Sequence, residues 1–403
     1  MKIGMIFRKL NVKGGVQRQG LSLAKELHQR GHKIIIYTFN YSSENCFSEL
    51  INDIPIVELP KKFHRSTSGF FGFFNESRMA KDLAFFIDKN LDILNPHDNV
   101  AHQVAYYFKK NIKNIPSVWQ MNELPTMRWP LNLLKYTEDP KFHDIPKKPY
   151  FIKKMVILIK TYWENFFIRK QDAITVFDKF HQKLLQRYSG CKSYVVPSGI
   201  EINHFNFLKH ELPLKNEKIM LLSSGILMPY RRYEDIFFAI RKLIDDGLNP
   251  YLTIFGDYDT DKKYFLALNE LTNILKISNR IKFIGRYPDE SLREAFVKNH
   301  VFVYPHLQSQ GLAVYEAMAS GLPCVVTPLC GTYETLTDKK DVMFAEPKNP
   351  DSLAKTIKNL CENPELYQQI SEQGRKTIEK FSWKKYADDM LVIMEKCLTH
   401  PSL

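Results

Sequence analysis

The stretch Tyr304–Val326 reads YPHLQSQGLAVYEAMASGLPCVV. An apolar run, VFVY, leads into Pro305, as a buried strand would. A polar loop containing Gly311 follows, and a helix begins near Leu312. Gly321 and Pro323 end that helix, and PCVV starts the next strand. A helix N-terminus beyond a strand offers free N–H groups and positive dipole charge, which suit a phosphate. Glu316 lies about one turn inside the helix, where its two carboxylate oxygens can reach a ribose diol. Gln308 precedes it by eight residues, in the loop.

Outward from this stretch the same rhythm continues. KIMLLSSG, YLTIFGD, RIKFIGR and VFVYP read as strands, with YEDIFFAIRKLI and DESLREAFV as helices among them. The chain also opens this way. KIGMIF is an apolar strand, a glycine loop follows, a helical stretch carries Val16, Leu23, Ala24 and Leu27, Gly31 sits at its C-cap, and KIIIYTF is the next strand. Alternating strands and helices imply parallel sheets covered on both faces. Two such series imply an α/β chain with two Rossmann-like, doubly wound domains. The turn-rich VPSGIEINHF separates them, so domains are expected at 1–200 and 201–382. Residues 364–398 read as helices, and 383–403 as a C-terminal helix crossing back to the first domain.

The 403 residues suffice for two or three domains whose cores need no staples. Apolar residues at 44% and charged residues at 25% exclude a disordered or collagen-like chain. No apolar run reaches the roughly 18 residues of a membrane span. MKIGMIFRKLN lacks the marks of a signal peptide. Six cysteines without CxxC or zinc spacing fit a reducing cytoplasm and no structural metal. The net charge of +13 attracts phosphates in nucleotides, nucleic acid or anionic lipid without choosing among them. Basic–aromatic motifs of RNA-recognition folds are absent, so nucleic acid is not an expected partner.

Gly14 and Gly15 follow the first strand, where backbone can approach a ligand closely. The spacing is not GxGxxG and no acid is placed for a ribose, so a dinucleotide cofactor is unsupported; a plain tight turn is the alternative. Arg231 and Arg232 lie between the strand glycine Gly225 and a helix. Guanidinium groups grip phosphate oxygens with several donors and stay charged, whereas the bland alternative is a solvated pair.

The Glu316 block resembles the retaining glycosyltransferases of family 4, whose pattern is similar to EGFGLxxxEAMAxGxPVV and which share the GT-B fold. GGVQRQGLSLAKELHQRGH, DAITVFDKFHQKLL, VVPSGIEINHF, SSGILMPYRRYEDIFFAI and GTYETL resemble further family segments, so the likeness covers nearly the whole chain. The resemblance implies two domains facing a central cleft, a UDP- or GDP-sugar donor, no cofactor and no metal. It implies a hexosyl- or glycosyltransferase of the EC 2.4 class that retains anomeric configuration. The acceptor attacks from the face of the leaving group, whose phosphate helps deprotonate it, so no protein nucleophile is expected. By the same resemblance, Arg231, Arg232, Glu316 and Gln308 are the catalytic set. Gly15, Gly225, Arg286, Gly311, Leu312 and Ala313 join Glu316 in holding the nucleotide sugar, with Glu334 as a further candidate. Gly14, Gln17, His97, Asn122 and Glu123 are candidates for acceptor or sugar.

Three positions depart from the family pattern: Gln308 replaces its first Glu, Ile226 replaces a common Arg, and Asn122 stands at or near a frequent His. A non-catalytic nucleotide-sugar-binding protein and a GT-B sugar-nucleotide epimerase are the rival readings. The expected acceptor is a glycan or a lipid-linked molecule in surface polysaccharide or glycolipid assembly. Residues 147–170, KKPYFIKKMVILIKTYWENFFIRK, mix basic and aromatic residues, with Lys147, Lys148, Lys153 and Lys154 clustered. FFGFF near residue 70 is a second apolar candidate, expected in an exposed loop. An anionic membrane surface at the inner face of the cell membrane is the matching partner; helix packing is the alternative.

Overall fold

The computed structural model describes residues 1–67, 72–122, 150–213, 217–307, 311–328 and 333–399. Gln308, Glu123, Lys147 and Lys148 lie outside them. The chain divides into two compact units between Gly199 and Ile200, and Trp383 onward belongs to the first.

In the first unit the unbroken apolar run at the N-terminus forms β1 (Lys2–Phe7), buried from Gly4's neighbours onward. Next come α1 (Gly15–Gln29), β2 (Lys33–Thr38), β3 (Ile56–Glu58), α2 (Gly72–Ala84), β4 (Ile93–Pro96) and α3 (Ala101–Asn111). They are followed by β5 (Val118–Gln120), α4 (Tyr150–Ile168), β6 (Ala173–Val176), α5 (Lys179–Ser189) and β7 (Tyr194–Val195). One sheet has the order β3-β2-β1-β4 and another β5-β6-β7, with parallel pairing throughout. Single parallel bridges, Leu94–Ser117 and His97–Gln120, link β4 to β5. The strand ends that matter for ligands therefore all point one way.

The second unit contains β8 (Ile219–Ser224), α6 (Tyr233–Asp245), β9 (Pro250–Phe255), α7 (Lys262–Ile274), β10 (Ile281–Gly285) and α8 (Asp289–Lys298). It continues with β11 (Val301–Tyr304), α9 (Leu312–Ala319), β12 (Cys324–Val326), β13 (Met343–Phe344), α10 (Pro350–Glu362) and α11 (Pro364–Ile378). Its sheet is parallel, ordered β10-β9-β8-β11-β12-β13. Asn349 and Asn363 cap α10 and α11 by accepting from Ser352 N at 3.0 Å and Leu366 N at 3.1 Å, each followed by a proline suited to a first helical turn. Finally, α12 (Trp383–Thr399) sends Trp383, Tyr386, Met390 and Met394 into the core of the first unit, beside Ile3, Met5 and Leu23.

FFGFF departs from the expected exposed loop. Its described part opens α2, where Phe73 and Phe74 meet the Trp163 ring edge-on at 6.4 and 5.6 Å. Aromatic packing against α4 claims these rings.

Candidate functional site

Strand β8 ends at Ser224, and Gly225 follows with φ of 140°, a conformation that side chains other than hydrogen rarely adopt. A Cβ on Gly225 would stand 3.1 Å from the Arg231 guanidinium, so the glycine makes room for that group. Arg231 Nη1 donates to Tyr304 Oη and to His306 Nδ1, each at 2.8 Å. A guanidinium cannot accept, so Nδ1 accepts and the His306 proton sits on Nε2. His306 is fully buried; burial, then the neighbouring Arg231 charge, holds its pKa well below the usual value. It is a neutral hydrogen-bonding group there. Leu307 N donates to Tyr230 O at 3.0 Å, tying the loop after β11 to the arginine turn.

Both partners of Arg231 are neutral. Among the described residues no carboxylate pairs with it, and its enclosed Nε has no partner. Enclosed charges are normally paired, which sets this cation apart from the other buried charges described.

Arg232 differs. It caps α6 with φ of 55°, which turns its side chain back along the helix. Nε and Nη2 grip Asp235 at 3.0 and 2.7 Å, and Nη1 meets Glu234 at 3.0 Å. The two adjacent arginines therefore stand in different settings. Three of the N–H donors of Arg232 go to buried carboxylates of its own helix, and the left-handed backbone at Arg232 separates the two adjacent side chains. Burial pushes the Glu234 carboxyl up to about 7 against the pull of Arg232, and Tyr264 Oη donates to it.

Gly311, with φ of 67°, starts α9, and its carbonyl accepts from Val314 N at 2.8 Å. Leu312 and Ala313 are half-buried in the first turn, and Glu316 is half-buried one turn further on. Tyr315 and Thr335 hydroxyls, 2.8 Å apart, tie α9 to the short turn carrying Glu334. Ile226 is partly exposed. Arg286, after β10, is mostly exposed and pairs with Asp257 at 3.1 Å.

In the first unit Gly14 caps α1 and Gly15 begins it. Gln17 is buried and donates to Lys9 O at 3.0 Å, so it fastens the loop after β1. His97 is fully buried, stacks on Phe7 at 4.9 Å, and is held by burial at a pKa of about 3. Asn95 Nδ2 donates to Val118 O at 2.6 Å, which leaves Asn95 Oδ1 to accept from His97 Nε2 at 2.8 Å. His97 is therefore neutral, with Nδ1 a buried acceptor that has no partner among the described residues. Asn122 is buried with both amide atoms unpartnered among the described residues.

Residues 13–204 match the Glycosyltransferase Family 4 model, and residues 204–377 match Glycosyl transferases group 1. This chain belongs to the group 1 glycosyltransferases. An uncharacterized glycosyltransferase of Methanocaldococcus jannaschii is 23% identical over 96% of both chains. Mannosylfructose-phosphate synthase of Agrobacterium fabrum is 21% identical over 95% of this chain and 86% of that one. Anabaena HepE in complex with UDP and glucose superposes with a TM-score of 0.75 at 15% identity, covering 98% of this chain and all of that one. WaaG, a glycosyltransferase involved in lipopolysaccharide biosynthesis, gives 0.71 at 14% identity over 97% of this chain and 99% of that one. The fold of this glycosyltransferase is GT-B.

Sequence reading missed His306 and Tyr304 as partners of Arg231, and Gly20. A Cβ on Gly20 would stand 2.3 Å from Phe7 and 3.1 Å from His97 Nδ1, so its absence lets α1 lie close to both rings. The signal for His306 was its place directly after a strand's terminal proline.

Proposed function

We propose that this glycosyltransferase moves a sugar from a UDP- or GDP-sugar to a glycan or lipid-linked acceptor, with retention and without a metal. The observation that carries this is Arg231: a positive group held by two neutral partners at the end of β8. The diphosphate gains charge as its bond to the sugar breaks, and pre-placed charge stabilises that change most in the transition state. The N-terminus of α9 adds its dipole, and Glu316 takes the ribose. Gly225 and Gly311 give the backbone room, while Arg286 lies on the loop that lines the base. As the bond to phosphate breaks, the acceptor oxygen bonds the same face of the sugar and passes its proton to the departing phosphate oxygen. His97, Asn122 and Gln17 are read as lining the acceptor side in the first unit, the first two through unpartnered polar atoms. The UDP in HepE supports a uridine donor.

Membrane contact belongs to the same reading. Met155, Leu158, Ile159, Tyr162 and Phe166 form one exposed apolar stripe along α4, with Tyr162 at 82% exposure. Glu164 turns inward to His102 and Gln103 at 3.1 Å each, so its carboxylate does not interrupt this stripe. Such a face suits the boundary of an anionic leaflet, at the site of polysaccharide or glycolipid assembly.

A thermal-shift series with UDP-, GDP- and ADP-sugars tests the donor reading. Binding raises the midpoint by mass action, about 2.7 kcal/mol at a hundredfold excess over Kd. No shift with any nucleotide sugar would overturn it.

A further inference from the structure

A cavity of about 270 Å³ lies beyond the carboxyl ends of β1 and β2, apart from the residues read as the donor site. Arg8 and Lys9 come from the loop after β1, Asn40 from the loop after β2, His64 and Arg65 from the segment before α2, and Glu76 from α2 itself. The two strand-end loops are tied together, with Leu10 N donating to Asn40 O at 2.8 Å and Ser42 N to Leu10 O at 3.1 Å. Their side chains are thus presented by a fixed backbone.

The lining is cationic. Arg8 pairs with Glu76 and Arg65 with Asp82, both carboxylates of α2, which orients the two guanidinium groups. A guanidinium carries five N–H donors, so each keeps donors for a ligand. Lys9 has no carboxylate partner among the described residues. His64 Nε2 donates to Leu59 O at 2.9 Å, leaving Nδ1 toward other partners. Three permanent cations therefore face two carboxylates. The amides of Asn11 and Asn40 add neutral donors and acceptors beside these cations, and Phe39 and Met79 supply the apolar part of the lining. The volume falls below the roughly 300–1,000 Å³ typical of whole drug-sized ligands and suits one charged head group.

We propose that this cavity takes an oxyanion carried by the acceptor, a phosphate or carboxylate. The assignment rests on the reading that the first unit binds the acceptor. Forked guanidinium donors match both groups, and the free Lys9 supplies the charge that the ion pairs do not.

The test titrates the full chain with glucose 6-phosphate, with gluconate and, in parallel, with glucose. Either anionic probe should bind at least tenfold more tightly than glucose. Sedimentation with phosphatidylglycerol vesicles, compared with and without Lys9→Gln, Arg65→Gln in an Ile159→Asp, Phe166→Asp background that removes the α4 face, separates a lipid phosphate from a soluble one. The double variant Lys9→Gln, Arg65→Gln should weaken the responding probe at least tenfold, and Arg65→Lys should retain part of it. Circular dichroism confirms that each variant is folded. Equal affinity for all probes, or a folded double variant that binds as the parent does, overturns the proposal. UDP titration reads the second unit separately: loss of UDP binding alone refutes the transferase reading and leaves the anion site standing.

Discussion

Replacing Arg231 and Arg232 by alanine, one at a time, separates catalysis from stability at two adjacent positions. Arg232→Ala removes three contacts, at 3.0, 2.7 and 3.0 Å, from Asp235 and Glu234. Both carboxylates are nearly buried and would be left without their cation. Breaking a buried pair by removing one member costs about 3–5 kcal/mol. For a domain of this size each kcal/mol is worth about 2–4 °C, so the melting point should fall by about 6–20 °C. Turnover per folded molecule should stay within a few-fold of the parent. Arg231→Ala leaves no carboxylate stranded, since its partners are a phenol and a neutral imidazole. Its loss removes two hydrogen bonds worth about 1 kcal/mol each, a small change in melting point. Losing a pre-placed charge at the departing diphosphate instead typically costs about 100–1,000-fold in turnover. Differential scanning fluorimetry and coupled release of nucleoside diphosphate give both quantities on the same samples. The reasoning fails if Arg232→Ala loses turnover while fully folded, or if Arg231→Ala keeps it.

Glu316→Ala should weaken nucleotide binding tenfold or more, because hydrogen bonds to a charged group contribute about 1.5–3 kcal/mol each; calorimetry showing parental affinity in a folded variant would refute the ribose role. Glu234 has a folded pKa raised to about 7 from 4.5, so its contribution to stability is complete below 4.5 and is lost as pH rises through 7. Urea midpoints of Glu234→Gln should accordingly depend less on pH between 4.5 and 7 than those of the parent; identical slopes would contradict the burial argument. On α4, Ile159→Asp with Phe166→Asp should reduce sedimentation with phosphatidylglycerol vesicles at least tenfold, and unchanged binding would place the membrane contact elsewhere.

The sheet of the second unit was legible because buried parallel strands are unbroken apolar runs, as in IMLLSS of β8 and VFVY of β11. The two-residue strands β7 and β13 carry too little pattern to read. The start of α9 near Leu312 was legible from the glycine before it. The difference in setting between Arg231 and Arg232 was not. It depends on a left-handed backbone at Arg232, where neither glycine nor asparagine announces one. Nor was the setting of Arg231, since Tyr304 and His306 reach it from more than seventy residues away. Asn122 was picked out beside a strand, but only the structure shows its amide buried without partners among the described residues.

Donor turnover followed by proton NMR tests the central claim most directly. The full chain is incubated with UDP-glucose, and separately with GDP-mannose, in the presence of EDTA. The anomeric proton of the transferred or released sugar is followed before mutarotation. The account predicts release of the nucleoside diphosphate from one donor, a first-formed product with the α configuration of that donor, and a rate at least a hundredfold lower for Arg231→Ala. A β product, turnover abolished by EDTA, or parental turnover in a folded Arg231→Ala protein would contradict it.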